Sequence, residues 1–539
     1  MAAEHRKRIW VLHPPALGLF FVLAFYTASM RHFPIRVIWL PVAAVLAGIP
    51  GLWALLYLLT RNGRKSGMLT SLVVVMFFGY GYILEPIERS GGIHFAVFGW
   101  RASTNTVLFP AWALILLAGL WLVRRRKGSL EAPTRLLNIF AACLVLTSAG
   151  TIVIRALRSR PAGEWRREPG SIDPGPPQSL PNVCYIIPDG YGRADVLRDL
   201  YGLDTEPFLD YLAGKGFYVA ARARANYCQT FLSQASTLNM RYLDELARRL
   251  GPDCDDRRPL LDMVHESEVG RLLHQCGYQM VHFDSGYAGT SAFHNSSLIG
   301  SGPCLGEFPE ALLDHTMIVP ILRKISDFRR PRSHRQRIRY ALDGIPDALD
   351  ADRPVFVYAH ILSPHPPFVF AADGSPRTPS YRYQLSDGSH IVGRYISAEE
   401  YKRQYSAQVQ FLAGKLRGLI DRILAKAGRP TIILIQADHG PGMLWDWDDV
   451  TRSDARERLG ILSAYYFPDG DYSSLRPEIT PVNTFRVILN QYLGGRYRLL
   501  PDKAYMSTWD RPYDLSEAAE PVPSSTSSLS SRPARGTSR

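Results

Sequence analysis

Five apolar stretches near the start of the chain constrain its fold more than any other feature. They cover Trp10–Met30, Val37–Leu59, Met68–Leu84, Val107–Val123 and Leu136–Ile154. Each is close to the roughly 17–25 residues that a helix needs to cross a bilayer. A secretory signal peptide accounts for one such stretch but not for five. The sequence therefore predicts a transmembrane domain of five helices over residues 1–157.

The distribution of Lys and Arg predicts how these helices are oriented. Basic clusters occupy residues 5–8, 61–65 and 124–127, whereas the two intervening loops carry fewer. By the positive-inside rule, the N-terminus is cytoplasmic, and five crossings place the rest of the chain outside. We therefore expect a multi-pass protein of the cytoplasmic (inner) membrane with an extracytoplasmic or periplasmic catalytic domain. The net charge of +13 partly reflects this topology. Since no nucleic-acid-binding motif accompanies it, we expect no nucleic-acid partner.

The remainder of the chain divides into three predicted segments. Residues 158–180 are rich in Pro, Gly and charge, which is typical of a linker. Residues 181–500 alternate strands with helices, which predicts an α/β domain with a mainly parallel central sheet. The predicted strands are Asn182–Pro188, Phe217–Ala221, Gln279–Asp284, Val355–Ile361, Thr431–Ala437 and Ile461–Phe467. Residues 501–539 form a C-terminal extension dominated towards its end by Ser, Pro, Ala and Thr, and we expect it to be largely disordered.

Two of these strands run directly into potential metal ligands. Asp189 follows the first, and Asp438 and His439 follow the strand that begins at Thr431. Both strands are continuously apolar, as expected of a parallel sheet covered on both faces. Ligands in such sheets gather at the carboxyl ends of the strands, so we expect the three side chains to converge. Carboxylates with one imidazole suit zinc, manganese, magnesium or calcium, although an Asp at a strand end is also a common turn or helix cap.

A third element is the segment from Asn226 to Met240, in which a helix of small residues is predicted to begin at about Thr230. A hydroxyl at a helix N-terminus lies at the positive end of the helix dipole, where it is suited to nucleophilic attack on a phosphate or sulfate. The alternative is an ordinary N-cap threonine. Cys228 is a second candidate nucleophile, as a thiolate beside a metal.

Taken together, these motifs resemble the sulfatase-like branch of the alkaline phosphatase superfamily, and in particular the membrane-bound lipoteichoic acid synthases and phosphoethanolamine transferases. The resemblance implies a five-helix anchor followed by an exported alkaline-phosphatase-like catalytic domain. It implies a metal site formed by Asp189, Thr230, Asp438 and His439, in which Thr230 is also the nucleophile. True sulfatases carry a Cys/Ser-x-Pro-x-Arg motif, whereas residues 228–232 here lack both Pro and Arg. Sulfate-ester hydrolysis is therefore the less favoured activity.

A loop rich in His and Pro follows the strand Val355–Ile361. The resemblance implies that His360 or His365 contacts the transferred group or protonates the leaving oxygen. His365 is preferred because it lies beyond the strand. Nearer the C-terminus, an arginine within Arg456–Leu462 is a candidate for neutralising phosphate charge, although a solvated surface is the simpler interpretation.

We therefore expect a membrane-anchored, metal-dependent transferase that passes through a phospho-threonine intermediate. It would move a phosphoethanolamine or phosphoglycerol headgroup from a membrane phospholipid donor to a glycan or lipid acceptor of the envelope. The alternatives are a phosphoester or sulfate-ester hydrolase and a catalytically inactive scaffold. Zinc and manganese are the expected metals, with magnesium and calcium as alternatives. A disulfide among Cys254, Cys276 and Cys304 is compatible with an exported domain.

Overall fold

The computed structural model describes residues 9–31, 33–89, 93, 95–97, 100–102, 104–158, 172–173, 180–290, 296–299, 306–349, 352–381, 383–426 and 428–519. The chain forms two compact units. Unit 1 comprises Met1–Pro161 and Leu305–Asp327, and unit 2 comprises Ala162–Cys304 and Phe328–Arg539. The predicted domain limits did not anticipate that 305–327, a segment from the middle of the sequence, joins the N-terminal unit.

The five predicted apolar stretches all form helices in unit 1. These are α1 (His13–Ser29), α2 (Trp39–Thr60), α3 (Gly63–Arg89), α4 (Thr104–Arg125) and α5 (Glu131–Arg158), with a 3₁₀ turn at Ile35–Ile38 and an antiparallel hairpin of β1 (Phe95–Val97) and β2 (Trp100–Ala102). Among the described residues, four spans are long and apolar enough to cross a membrane, namely Ile35–Thr60, Gly63–Ile87, Thr104–Arg125 and Glu131–Leu157. Helix α1 has 17 residues, at the lower limit for a span. These helices anchor the chain in a membrane.

The segment 305–327 packs on the transmembrane helices. The Phe308 ring lies 5.4 Å from the ring of Phe25. The backbone N–H of Gly81 in α3 donates to the carbonyl of His315 at 2.9 Å. A Cβ at position 81 would lie 2.4 Å from the Cα of His315, so this close backbone approach requires glycine. Helix α12 (Glu307–Asp314) lies in this segment, and α13 (Val319–Ala348) begins in it.

Unit 2 contains the predicted α/β domain, which is built on a seven-stranded sheet. Its strands are β3 (Asn182–Pro188), β4 (Tyr218–Val219), β5 (Gln279–Phe283), β6 (Ser297–Ile299), β7 (Val355–Ile361), β8 (Thr431–Gln436) and β9 (Ser463–Tyr466). They lie in the order β4-β9-β8-β3-β7-β5-β6. Strand β9 runs antiparallel to both of its neighbours, and the other pairs are parallel. The prediction of a mainly parallel central sheet is confirmed.

The remaining elements of unit 2 cover the sheet or extend from it. The helices are α6 (Ala194–Tyr201), α7 (Glu206–Gly214), α8 (Thr230–Asn239), α9 (Asp244–Leu250), α10 (Arg258–His265), α11 (Glu268–Gln275), α14 (Ala398–Lys426), α15 (Ala455–Leu459) and α16 (Pro481–Tyr492), and the last strands are β10 (Tyr505–Met506) and β11 (Ser516–Glu517). Every residue of β3, β7 and β8 is buried, which explains why these strands are continuously apolar.

The C-terminal segment differs from the predicted extension as far as residue 519. Strands β10 and β11 pair with each other, and Ser507 accepts a hydrogen bond from the Gln229 side chain at 3.0 Å. Residues 520–539, most of the predicted linker and Cys304 lie outside the described residues. Cys254 and Cys276, which the structure does describe, are free thiols.

Candidate active site

Three neighbouring strands end at one edge of the sheet and bring four candidate ligands together. Strand β3 lies between β7 and β8, so Asp189, Asp438 and His439 meet there although the first is far from the others in sequence. The Nε2 atom of His439 lies 3.5 Å from a carboxylate oxygen of each aspartate. His360, the sixth residue of β7, points its Nε2 to within 3.4 Å of Asp189 Oδ2 and 4.0 Å of Asp438 Oδ2.

The chemistry of this cluster fits a divalent metal ion. The side chains of Asp189, Asp438 and His439 offer ligand atoms that all lie within 4.8 Å of one another. Asp189 Oδ1, Asp438 Oδ2 and His360 Nε2 are buried and have no hydrogen-bond partner among the described residues. Metal–ligand distances of about 2.0–2.2 Å in a tetrahedral site give ligand–ligand separations of about 3.3–3.6 Å. Several separations in the cluster have this value.

The surroundings of Asp189 and His439 favour the protonation states in which these side chains bind a metal ion. Burial would raise the pKa of Asp189, but the nearby side chains of His365, His360 and His439 together lower it below its usual range. Burial lowers the pKa of His439, which favours the neutral imidazole. An ionised carboxylate and a neutral imidazole are the metal-binding forms of these side chains.

Hydrogen bonds away from the cluster orient both imidazoles. Nδ1 of His439 donates to the carbonyl oxygen of Gly440 at 2.9 Å, so its Nε2 is left to face the aspartates. Nδ1 of His360 is hydrogen-bonded to Thr290 Oγ1 at 2.8 Å, and Thr290 is in turn bonded to Ser285 at 3.0 Å. Such outer contacts fix the ring orientation of metal-ligating histidines.

Thr230 is the first residue of α8, where the sequence predicts that the helix begins. Its Oγ1 lies 3.2 Å from His439 Nε2, and the residue is 8% exposed. The hydroxyl is therefore beside the candidate metal ligands and at the positive end of a ten-residue helix. This placement suits a nucleophile that must approach an anionic group.

Cys228, the alternative nucleophile, has a different environment. It is fully buried, and its Sγ accepts a hydrogen bond from the Ser507 backbone N–H at 3.3 Å. Burial raises the pKa of the thiol. A thiol held in this form is a poor nucleophile, so the geometry favours Thr230.

His365 lies near His439, with ring centroids 6.1 Å apart. Its Nε2 is 3.4 Å from Asp387 Oδ1, and Asp387 also accepts a hydrogen bond from Arg458 at 2.7 Å. Burial would lower the pKa of His365, but Asp189 and Asp387 raise it to about 9. Nδ1 of His365 donates to the carbonyl oxygen of Pro366 at 2.6 Å, so the Nε2–H beside Asp387 is the donor that a protonated His365 would offer to a leaving oxygen.

The structure gives different surroundings to two histidines between which the sequence alone could not decide. His360 and His365 are alternatives in sequence, but His360 faces the two aspartates and His365 faces Asp387. Sequence reasoning missed Asp387, which directly precedes a 3₁₀ turn, and Thr290, which ends another, because neither segment carries a motif. A solvated surface is the simpler interpretation of Arg456–Leu462 in the sequence, yet Arg458 within it is 1% exposed.

No family model and no curated protein sequence matches this chain. Solved structures similar to it include the integral membrane lipooligosaccharide phosphoethanolamine transferase A (EptA) from Neisseria meningitidis, at 12% identity and a TM-score of 0.38 over 90% of this chain and 96% of that one. Another is the C-terminal periplasmic domain of EptC from Escherichia coli in complex with Zn, at 12% identity and a TM-score of 0.41 over 65% of this chain and 95% of that one.

A third similar structure is the phosphonate monoester hydrolase of Agrobacterium radiobacter, at 14% identity and a TM-score of 0.39 over 60% of this chain and 80% of that one. By their descriptions, the first of these three is a phosphoethanolamine transferase, the second is the periplasmic domain of EptC and the third is a hydrolase. Since the TM-scores are below 0.5, a functional assignment has to come from the residues of the site.

Proposed function

We propose that this chain is a membrane-anchored transferase that moves a phospho-headgroup from a phospholipid to an envelope glycan or lipid through a phospho-threonine intermediate. One observation carries the proposal: the Thr230 hydroxyl lies at a helix N-terminus, 3.2 Å from His439 Nε2, and this nitrogen lies 3.5 Å from the carboxylates of Asp189 and Asp438. Each of these carboxylates has a buried oxygen without a hydrogen-bond partner among the described residues. Membrane anchoring gives such a site access to lipid donors.

Asp189, Asp438, His439 and His360 would hold the divalent ion, with Thr230 beside them. When bound, such an ion polarises a phosphoryl oxygen and lowers the pKa of a neighbouring hydroxyl. Zinc and manganese both suit this ligand set. The positive end of α8 adds stabilisation for the phosphate charge that accumulates at Thr230.

In the first half-reaction, Thr230 Oγ1 forms a bond to phosphorus and the bond from phosphorus to the diacylglycerol oxygen breaks. The hydroxyl proton of Thr230 passes to solvent, and His365 delivers a proton to the leaving oxygen. In the second half-reaction, the acceptor hydroxyl gives its proton to His365 as its oxygen bonds to phosphorus. The Thr230 oxygen then leaves and takes back a proton.

Intact-mass analysis tests the nucleophile. The full-length protein is incubated with vesicles of phosphatidylethanolamine and phosphatidylglycerol, beside Thr230→Ala and the control Thr237→Ala, which alters another buried threonine of α8. We expect a mass gain of one phospho-headgroup on the wild type and on the control, and none on Thr230→Ala, with metal content retained. An adduct on Thr230→Ala would contradict the proposal.

Hydrolysis is the rival activity, because water is able to resolve the same intermediate. The discriminating experiment removes unreacted lipid from the adduct-bearing protein and follows the adduct mass in buffer alone. An adduct that persists in buffer and disappears on addition of a hydroxylated envelope glycan or lipid indicates a transferase. Rapid release of free phospho-headgroup in buffer alone indicates a hydrolase.

A further inference from the structure

Arg458 occupies a buried position where three loops of the site meet. Its Nε donates to the carbonyl oxygen of Cys228 at 2.8 Å. Its Nη1 donates to Asp387 Oδ1 at 2.7 Å and to the carbonyl oxygen of Gly440 at 3.4 Å, and its Nη2 donates to Asp387 Oδ2 at 3.3 Å. The residue is 1% exposed. Burying a guanidinium is costly unless it is paired and hydrogen-bonded, as it is here.

Each of these three acceptors lies next to a residue that we assign to the reaction, either along the chain or in space. Cys228 lies two residues before Thr230, in the segment that leads into α8. The Gly440 carbonyl also accepts the hydrogen bond that orients His439. Asp387 faces His365 Nε2 at 3.4 Å. The Arg458 guanidinium therefore contacts three groups that hold reacting residues in place. These groups are the backbone before Thr230, the carbonyl that orients His439, and the carboxylate that faces His365.

The backbone strengthens this arrangement. The Gly440 N–H donates to the carbonyl oxygen of Arg458 at 2.7 Å. A Cβ at position 440 would lie 2.1 Å from the carbonyl oxygen of Glu457, so glycine is needed for the ligand loop to pass this close. The indole of Trp447 covers a face of the guanidinium, with its ring centroid 5.2 Å from Arg458 Cζ.

The donors of Arg458 are used by the protein itself. A guanidinium carries five N–H groups in a planar fork, and four hydrogen bonds to Cys228, Gly440 and Asp387 account for most of them. This disfavours Arg458 as a direct phosphate clamp, the role that the sequence raised for this segment. A lysine has a single nitrogen and cannot reach three acceptors that lie in different directions.

We infer that Arg458 is a positioning residue that sets Thr230, His439 and His365 in the relative geometry that transfer requires. The inference rests on the proposed function and deepens it, because it assigns the alignment of nucleophile, ligand and acid to one side chain. Misplacement of a reacting group by about 1 Å costs about 100-fold in rate.

The first test compares Arg458→Lys with Arg486→Lys in the full-length protein. Arg486 is a matched control: it is equally buried, in α16, and its guanidinium donates to the carbonyl oxygens of Met240 and Arg498. Turnover is measured on phosphatidylethanolamine vesicles, together with metal content and melting temperature. We expect Arg458→Lys to lower kcat at least about 100-fold with KM changed less than about threefold. Arg486→Lys should lower the melting temperature while the folded protein retains kcat.

The second test asks whether Arg458 acts through Asp387, with a double-mutant cycle of Arg458→Lys and Asp387→Asn. Residues that act as one unit give non-additive effects. The kcat of the double variant should therefore lie within about twofold of the kcat of the slower single variant. The inference would be overturned if the fold-losses in kcat of the two single variants multiplied in the double variant. A wild-type kcat in Arg458→Lys would also overturn it. If the wild type showed no Thr230 adduct and no turnover, the proposed function would be wrong, and this inference would be wrong with it.

Discussion

At the scale of single residues, the site is defined by which buried polar atoms have partners and which do not. His360 and His365 are five residues apart, yet one bonds through Nδ1 to Thr290 and faces the aspartates, and the other faces Asp387. A buried carboxylate or imidazole without a partner is costly. Asp189 Oδ1, Asp438 Oδ2 and His360 Nε2, which have no hydrogen-bond partner in the described part of the chain, therefore mark the place where an ion would compensate for their desolvation.

Thr290 provides a test of this interpretation, because its hydroxyl is hydrogen-bonded to Nδ1 of His360. We expect Thr290→Val to weaken metal affinity about 10–100-fold, since the valine removes the hydrogen bond that fixes the imidazole. Metal content after dialysis against graded chelator concentrations measures the effect. Thr451→Val, in an exposed turn, is the control and should match the wild type. Equal affinity in both variants would indicate that His360 is not a ligand.

At the scale of elements, three parallel strands and one helix terminus bring the site together. Strands β3, β7 and β8 are neighbours that end at the same edge of the sheet, and α8 begins at the residue whose hydroxyl reaches that edge. In unit 1, a different contact between elements depends on a single glycine. Helix α3 approaches the backbone of His315 at Gly81, where the Gly81 N–H donates to the His315 carbonyl.

Gly81→Ala should destabilise the packing of segment 305–327 on α3. The added methyl would lie 2.4 Å from the His315 Cα, and overpacking of this kind costs about 1–3 kcal/mol. The matched control is Gly79→Ala in the same helix, where the nearest atom is at 3.7 Å, in Trp112.

The measurements are the melting temperature of the full-length protein and the rate of tryptic cleavage within 305–327. We expect a lower melting temperature and faster cleavage for Gly81→Ala alone. Identical behaviour of the two variants would show that the close approach does not contribute to stability.

At the scale of the whole molecule, a membrane unit and an α/β unit share one chain, and segment 305–327 of the sequence returns to the membrane unit. In the part of the chain that the structure describes, four helices are long and apolar enough to cross a membrane, and α1 lies at the lower length limit. If α1 crosses the membrane, the α/β unit and the N-terminus lie on opposite sides of it. If α1 does not cross, they lie on the same side. The basic clusters favour five crossings.

Reporter fusions test this topology. An enzyme that is active only outside the cytoplasm is fused after Lys127, after Arg158 and at the C-terminus of the full chain. Five crossings predict no activity after Lys127, which follows α4, and activity at the other two points. The reversed pattern would place the α/β unit in the cytoplasm and remove access to envelope acceptors.

Features that depend on local pattern were predictable from the sequence. The apolar stretches form five helices, the continuous apolar strands form β3, β7 and β8 within a residue of their predicted limits, and α8 begins at Thr230. These features depend on side-chain hydrophobicity and helix-terminus chemistry over a few neighbouring residues.

Roles that depend on distant partners are decided by the tertiary structure. Arg458 is buried because Cys228, 230 residues away in sequence, and Asp387, 71 residues away, supply its acceptors. His360 faces the aspartates because β7 pairs with β3 in a register that sets it beside Ile187. The free energy of burying a polar group depends on the partners that the fold brings to it, and no local pattern contains those partners.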